Sequence, residues 1–280
     1  MRLIAQIAVA LLAIWLGAGV WFLMERDGLY FPFDEGDYPT SVAGSGFSKH
    51  QVDGIEVWVK RPYPGMPTIL YFGGNAGHPG RNAPVLAEYG INGFGVVAPR
   101  YRFEGRGGDQ LVADGLKVAD AVNALTGASP DRTVIHGLSL GSGIATQVAA
   151  QRPAAGLVLE APFTRLCDMP GTVLPVLPYC VLSPGDELPT VETITEIIMP
   201  VLVQHGARDR LIPVEMGEAV HAAARAAKAL RIYPDGDHND LRLHGSVIDA
   251  RAFALRVASP SETLLPQTSS GERAAPRQGP

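Results

Sequence analysis

The chain has 280 residues, of which 46% are apolar, enough to bury the core of one large α/β domain or of two small ones. Its 32 glycines and 23 prolines fall short of the fraction found in low-complexity chains, so we expect one folded domain with appendages. The formal net charge is -5 and the sequence has no block of lysines or arginines, which argues against nucleic acid as a partner. Two cysteines are too few for a disulfide scaffold or a four-thiolate metal site.

The first segment is apolar enough to cross a membrane. Leu3–Met24 contains a single polar residue, Gln6, and a helix of roughly 20 apolar residues spans the hydrocarbon core of a bilayer. We therefore predict a single-pass transmembrane anchor over residues 1–26. The alternative is a cleaved signal peptide with its cleavage point near the small residues 17–19, but the apolar run continues past them, which favours the anchor.

The charges that flank this segment predict its orientation. Arg2 and the amino terminus precede it, whereas Glu25 and Asp27 make its other end slightly acidic. The positive-inside rule then places the body of the protein on the extracytoplasmic side of the membrane. In such an oxidising compartment Cys167 and Cys180 can form a disulfide, and two separate buried thiols are the alternative.

The body of the chain, residues 48–258, follows a Gly- and Pro-rich linker over 27–47 and alternates short apolar runs with longer helical patterns. This alternation predicts an α/β fold with a mostly parallel sheet flanked by helices. Strands are predicted at Ile55–Lys60, Thr68–Phe72, Phe94–Ala98, Thr133–His136, Gly156–Glu160, Val201–Gln204 and Leu230–Tyr233. Helices are predicted at Leu111–Leu125, Gly143–Gln151 and Val214–Ala229. Residues 259–280, rich in proline and without aromatic residues, are expected to form a disordered tail.

The sequence GLSLG over residues 137–141 lies between a predicted strand and a predicted helix. In this GxSxG pattern a serine hydroxyl is raised on a tight strand-to-helix turn, where a Cβ on either flanking glycine would crowd the backbone. The pattern identifies Ser139 as the candidate nucleophile, and a Gly-Ser turn that only caps a helix is the alternative.

A serine nucleophile needs a histidine base that a carboxylate orients, and in this architecture the acid and then the base follow the serine in the chain. Asp209 comes just after a predicted strand, in a loop at the carboxyl end of the sheet, where such folds build their sites. It is the favoured acid, and a loop or helix-capping role is the alternative. Asp168 and Asp186 lie in an irregular segment and are weaker candidates.

Four histidines follow the candidate nucleophile, namely His205, His221, His238 and His244. His238 follows the last predicted strand through a turn of Gly and Asp residues, which places it where a loop histidine can reach Ser139. It is therefore the favoured base, and a solvated loop histidine is the alternative. His221 lies inside a helical run, and His205 is close in sequence to the favoured acid, which makes both less suited to be the base.

The tetrahedral intermediate of acyl transfer needs backbone amides that point at its negative oxygen. The amide of Leu140, directly after the candidate nucleophile, is one expected donor. The second is expected from the Gly-rich loop after Thr68–Phe72. There Gly73 and Gly74 allow a close approach and leave the amide of Asn75 as the candidate, although Gly-Gly-Asn is also an ordinary turn.

Motifs for other chemistries are missing from the sequence. The sequence has no complete GxGxxG dinucleotide-binding motif, because the third glycine is missing. It also contains no GxxxxGKS or GxxxxGKT phosphate loop and no HExxH zinc motif. We therefore expect neither a cofactor nor a metal ion.

Five motifs stand in an order and spacing that resembles the α/β-hydrolase superfamily, in particular its membrane-anchored, Bem46-like serine hydrolases. They are FGGNAG at Phe72, GLSLG at Gly137, EAPFT at Glu160, PVLVQHGARDRLIP at Pro200 and GDHNDL at Gly236. The resemblance implies the α/β-hydrolase fold. It also implies a nucleophile at Ser139, an acid at Asp209, a base at His238 and oxyanion amides at Asn75 and Leu140.

These residues predict a membrane-tethered serine hydrolase that cleaves an ester or thioester of a small-molecule acyl substrate through an acyl-enzyme. A serine peptidase acting on short peptides is the nearest alternative, because one fold serves many leaving groups. A catalytically silent binding module held at the membrane is a less favoured one.

An irregular, proline-rich insertion over residues 164–196 carries enough apolar side chains to cover such a site. They belong to Met169, Val173, Leu174, Val176, Leu177, Tyr179, Val181 and Leu182. We expect a short cap over the acyl side of the site that favours an apolar acyl group, and a structural lid without influence on specificity is the alternative.

Overall fold

The computed structural model describes residues 2–31, 36, 38, 39, 42, 46–102, 107–173 and 177–258. The strands are β1 (Ser48–Val52), β2 (Ile55–Lys60), β3 (Thr68–Phe72), β4 (Gly95–Pro99), β5 (Thr133–Leu138), β6 (Gly156–Glu160), β7 (Val201–Gly206) and β8 (Lys228–Tyr233). The α-helices are α1 (Arg2–Tyr30), α2 (Ala83–Ile91), α3 (Gly108–Thr126), α4 (Leu140–Gln151), α5 (Met169–Val173), α6 (Tyr179–Leu182), α7 (Thr190–Thr193), α8 (Val214–Ala223) and α9 (Ser246–Val257). The predicted tail over 259–280 and 10 of the 21 residues of the predicted linker over 27–47 lie outside the described residues.

The strands form one 8-stranded sheet in the order β1-β2-β4-β3-β5-β6-β7-β8. β1, β2 and β4 pair antiparallel, whereas the pairs from β4 through β3, β5, β6 and β7 to β8 are parallel. The predicted α/β fold with a mostly parallel sheet is therefore confirmed. Because parallel strands end at the same edge, the loops after β3, β5, β6, β7 and β8 meet there.

The central strands are buried on both faces of the sheet. In β3, Leu70 and Phe72 belong to one core cluster, which includes buried residues of α3, α4 and α8. Ile69 and Tyr71 belong to a second cluster, which includes buried residues of α2 and α9. Since successive side chains of a strand point to opposite faces, helices cover both sides of the sheet, and its strands read as continuous apolar runs.

Several elements differ from the prediction. The helix expected over Val214–Ala229 ends at Ala223, because Lys228 begins β8 and pairs with Val201 of β7. The prediction also misses β1, whose residues are polar and mostly exposed. It misses the helices α2 and α9 as well.

The first helix, α1, extends beyond the predicted anchor. Arg2–Glu25 has a mean hydropathy of 2.3 and is long and apolar enough to cross a membrane, by length and composition alone. Instead of ending at residue 26, the helix continues to Tyr30. Phe22, Tyr30 and Phe31 are buried in the first core cluster, so the end of α1 belongs to the folded body.

The insertion over 164–196 packs against this end of α1. The ring of Tyr179 lies edge-on to that of Phe22, with the ring centroids 4.9 Å apart. The hydroxyls of Tyr30 and Ser183 are 3.2 Å apart, within hydrogen-bond distance. These contacts link the predicted membrane segment directly to the insertion.

A disulfide joins Cys167 and Cys180 within the insertion. Other apolar side chains of the insertion pack partly buried against the first core cluster, namely Met169, Leu177 and Leu182. Val181 is 78% exposed. Leu174 and Val176 lie outside the described residues, and so does the side chain of Val173.

Candidate active site

Ser139 lies on the tight turn between β5 and α4. Its φ of 53° and ψ of -120° are rare for a residue with a side chain, and such strain marks functional turns. A Cβ on Gly137 would lie 2.3 Å from the carbonyl oxygen of Gly141, and a Cβ on Gly141 would lie 2.1 Å from the carbonyl oxygen of Phe72. Both glycines of the GxSxG motif are therefore required by direct backbone contacts.

The structure brings Ser139, His238 and Asp209 together in one chain of hydrogen bonds. His238 Nε2 lies 3.0 Å from Ser139 Oγ, and His238 Nδ1 lies 2.8 Å from Asp209 Oδ2. An ionised carboxylate only accepts hydrogen bonds, so Nδ1 carries a hydrogen and donates a hydrogen bond to Asp209 Oδ2. Nε2 of His238 is then the free acceptor that faces the serine hydroxyl.

The carboxylate of Asp209 is buried and fully hydrogen-bonded. Its Oδ1 accepts the backbone amides of Leu211 at 2.9 Å and Ile212 at 2.8 Å. Burial raises the pKa of this carboxyl, but the hydrogen bonds from His205 and His238 outweigh burial and hold the pKa well below its usual value. Asp209 is therefore an anion at all pH values at which the protein is expected to work.

His205 is a further residue of this site, which the sequence prediction set aside. Its Nε2 lies 3.4 Å from Asp209 Oδ2, and its side chain is fully buried. The prediction considered this histidine only as a base and rejected it because it lies so close in sequence to Asp209. That closeness was the available signal, since a histidine four residues before an acid in a tight loop can hold the acid.

The loop after β3 and the start of α4 flank the serine. A Cβ on Gly74 would lie 3.6 Å from Ser139 Cβ, so this loop passes directly beside the candidate nucleophile. Asn75 follows Gly74 in the loop and lines a cleft next to Ser139. Tyr101 donates its hydroxyl to the carbonyl oxygen of Gly73 at 2.7 Å and fixes the loop. Leu140 is the first residue of α4, where backbone amides have no partner within the helix.

A cleft of about 670 Å³ opens onto these groups. Its lining residues are Gly74, Asn75, Ala76, Arg81, Asn82, Pro84, Val85, Leu138, Ser139, Glu160, Leu211, His238, Asn239, Leu241 and Arg242. None of the described residues of the insertion, 164–173 and 177–196, lines this cleft. The described part of the insertion packs against α1 and the core, and the cap over the acyl side of the site stays a prediction.

The other acidic and histidine candidates make contacts with other residues. Asp168 accepts the hydroxyl of Thr164 at 2.9 Å, and Asp186 accepts the amide of Gly108 at 3.0 Å. His244 lies 3.7 Å from Asp240. These side chains have local structural contacts of their own.

Comparison with other proteins gives several relatives that share between a quarter and a third of their residues with this chain. No family model matches the chain. The uncharacterized protein Rv2307c of Mycobacterium tuberculosis is 30% identical over 252 residues, covering 84% of this chain and 88% of that protein. The lysophosphatidylserine lipase ABHD12 of Xenopus tropicalis is 28% identical, covering 60% of this chain and 49% of the lipase. Protein bem46 of Schizosaccharomyces pombe is 29% identical, covering 62% of each chain.

Solved structures resemble the fold over most of the chain. Est1E from Butyrivibrio proteoclasticus has a TM-score of 0.62 at 17% identity, covering 77% of this chain and 100% of its own. The acylaminoacyl peptidase of Pyrococcus horikoshii has a TM-score of 0.57 at 15% identity, covering 78% of this chain and 42% of its own. At these identities the likeness concerns the fold alone.

Proposed function

We propose that this chain, which belongs to the α/β-hydrolase superfamily and is a serine hydrolase of that type, cleaves acyl esters or thioesters through an acyl-enzyme on Ser139. The observation that carries the proposal is the unbroken chain of contacts from Ser139 Oγ through His238 to Asp209. Such a chain converts a weakly nucleophilic hydroxyl into one that loses its proton as it attacks.

We propose a role for each side chain from this geometry. Ser139 Oγ attacks the carbonyl carbon of the ester while its proton passes to His238 Nε2. The imidazolium gives that proton to the departing alcohol, which leaves the acyl group on Oγ. A water molecule then attacks the acyl carbon and gives its proton to the same nitrogen, which passes it to Ser139 Oγ as the acyl–Oγ bond breaks and the acid is released. Asp209 stays ionised and holds the imidazole in the required tautomer.

The negative oxygen of each tetrahedral intermediate needs two donors, and we assign them to the backbone amides of Asn75 and Leu140. The loop that carries Asn75 passes beside Ser139, and Leu140 begins α4 with an amide free of the helix ladder. The amino end of α4 adds a positive partial charge at this place. Each such donor contributes about 3 to 4 kcal/mol to the transition state.

We also propose that α1 anchors the enzyme as a single membrane span, with the hydrolase domain on the extracytoplasmic side. The hydropathy of Arg2–Glu25 supports the span. The disulfide between Cys167 and Cys180 supports the orientation, since disulfides persist in oxidising compartments.

The cleft favours a small-molecule substrate that bears a polar or anionic group beside its acyl chain. Leu211 and Leu241 offer apolar contacts, while the guanidinium groups of Arg81 and Arg242 line the same cleft. Arg242 lies 3.9 Å from the carboxylate of Glu88, too far for a hydrogen bond. The Arg242 side chain has no hydrogen-bond partner among the described residues, so its donors can bind a substrate.

Hydrolysis by the full-length protein in detergent, measured on para-nitrophenyl esters of graded chain length beside aminoacyl anilides, tests this proposal. We expect the esters to be cleaved and the rate to fall about 10³-fold or more in Ser139→Ala. Faster cleavage of the anilides would indicate a peptidase instead. Turnover that survives in Ser139→Ala, or no turnover of any substrate by the folded protein, would contradict the proposal.

A further inference from the structure

His205, near the end of β7, is a buried histidine to which the reaction above gives no role. Its Nε2 lies 2.9 Å from the carbonyl oxygen of Ile212 and 3.4 Å from Asp209 Oδ2. The same Oδ2 accepts the hydrogen bond of His238 Nδ1 at 2.8 Å. One carboxylate oxygen therefore lies between two imidazoles.

The contacts determine which nitrogen of His205 carries the hydrogen. A backbone carbonyl only accepts hydrogen bonds, so the short contact with Ile212 requires a proton on Nε2. The same N–H can be shared with Asp209 Oδ2 on its other side. The opposite nitrogen, Nδ1, is buried and has no hydrogen-bond partner among the described residues. A buried acceptor without a hydrogen-bond partner costs stability. The protein accepts this cost at Nδ1 of His205 and has the hydrogen on Nε2, where it faces Ile212 and Asp209.

Gly217 of α8 makes room for the ring. A Cβ at this position would lie 2.3 Å from Nδ1 of His205, closer than any real side-chain contact. Gly217 is buried in the interior of its helix, where glycine costs about 1 kcal/mol relative to alanine. The sequence therefore keeps an unfavourable helical residue where it leaves space for the imidazole.

We propose that His205 is a positioning residue that fixes Asp209 for its work on His238. Its Nε2–H lies between the carbonyl oxygen of Ile212 and Asp209 Oδ2. The backbone amides of Leu211 and Ile212 donate hydrogen bonds to the other carboxylate oxygen, Asp209 Oδ1. A carboxylate held on both oxygens cannot rotate when the proton moves between Ser139 and His238. The inference rests on the proposed function, because the alignment matters only if His238 is the base.

Three variants of the full-length protein in detergent separate positioning from packing. His205→Phe keeps an aromatic ring but removes the N–H, and His205→Gln places an amide N–H near the position of Nε2. Gly217→Ala displaces the ring without changing its chemistry. Glu218→Ala, at an exposed position of the same helix, is the matched control. The measurements are kcat and KM on a para-nitrophenyl ester, the thermal unfolding midpoint, and the downfield proton NMR signal of the His238 Nδ1–H.

We expect His205→Phe and Gly217→Ala to lower kcat by about 10- to 100-fold, as a small misalignment does, with KM changed less than about twofold. The downfield signal should weaken in both, and His205→Gln should recover most of kcat and of the signal. Wild-type kcat and signal in a folded His205→Phe would overturn the inference. So would equal losses in His205→Phe and His205→Gln that only follow the unfolding midpoint. Activity that survives in Ser139→Ala would instead overturn the proposed function itself.

Discussion

The turn that carries Ser139 and the insertion over 164–196 are built in opposite ways. Around the serine, backbone atoms meet so closely that added methyl groups on Gly137 and Gly141 would lie within 2.3 Å and 2.1 Å of carbonyl oxygens. In the insertion, short helical turns are held by packed side chains, one disulfide and loop hydrogen bonds such as the one from the Leu166 amide to the Glu187 carbonyl oxygen at 2.7 Å. A Cβ on Gly171 there would meet its nearest neighbour at 3.8 Å.

This difference shows where the molecule fixes geometry and where it only needs packing. Reacting groups must keep their positions within a fraction of an ångström, which rigid backbone contacts provide. Apolar surface can be covered by any partner of suitable shape, and in the insertion that partner is the end of α1. Substitutions in the two regions should therefore have very different effects.

The largest contrast is expected between Gly141→Ala and Gly171→Ala. The first forces backbone atoms apart, so we expect a loss of about 3 kcal/mol in the free energy of unfolding and a fall in kcat of at least about 100-fold. The second places a methyl group at ordinary van der Waals distance from the ring of Tyr179, so the change should stay within about 0.5 kcal/mol. Chemical denaturation and ester hydrolysis measure both. Equal tolerance of the two substitutions would remove the contrast between the regions.

A smaller effect is expected where α1 meets the insertion. Phe22 is 1% exposed and Trp21 is 58% exposed on the same helix, which gives a matched pair. Phe22→Ala should lower the free energy of unfolding by about 2 to 3 kcal/mol, because it leaves a cavity against Tyr179. Trp21→Ala should leave it almost unchanged. Denaturation in detergent tests both, and a Phe22→Ala protein as stable as Trp21→Ala would show that the contact does not hold the helix.

The same contrast explains what the sequence could predict. The strand predictions at Thr68–Phe72 and Gly156–Glu160 agree with the structure, because buried parallel strands appear as apolar runs. The prediction at Ile55–Lys60 also agrees with the structure, although this strand pairs antiparallel with both neighbours. Ser139, Asp209 and His238 could be proposed together because the order of strands brings loops distant in sequence to one edge. Their catalytic roles stay predictions.

The rest depends on tertiary contacts that no local pattern shows. β1 is a polar edge strand, recognisable only through its pairing with β2. The apolar composition of the insertion indicated that something packs against it, but composition does not identify the partner. His205 could not be found from periodicity either, because its role depends on a loop that returns to it at Ile212.

The low pKa of Asp209 predicts a pH-dependent contribution to stability. Its pKa is lower in the folded protein than its unfolded value of about 3.9, so the contribution is present above about pH 4 and is lost as the pH falls through the folded pKa. Asp209→Asn should cost about 1 to 3 kcal/mol at neutral pH and progressively less in acid. The control is Asp53→Asn, at an exposed turn. Denaturation from neutral to acidic pH measures the difference, and a gap that stays constant would contradict the assignment.

The smallest effect concerns substrate choice by the cleft rather than by the insertion. Arg242→Gln should raise KM about fivefold for an ester that carries a carboxylate and leave KM for a neutral ester of equal length unchanged, since an exposed ion pair contributes up to about 1 kcal/mol. Val181→Ser, at an exposed position of the insertion, should change neither KM. Steady-state kinetics on the ester pair decide between them. If only the Val181 variant alters the preference, the insertion and not the cleft selects the substrate.

Covalent labelling by a fluorophosphonate probe tests the central claim most directly, because the probe reacts with an activated serine and with no other hydroxyl at a comparable rate. The full-length protein should gain one adduct, which mass spectrometry maps to Ser139. Labelling should disappear in Ser139→Ala and become much slower in His238→Ala. A folded protein that stays unlabelled, or an adduct that persists in Ser139→Ala, would show that Ser139, His238 and Asp209 do not form the catalytic centre.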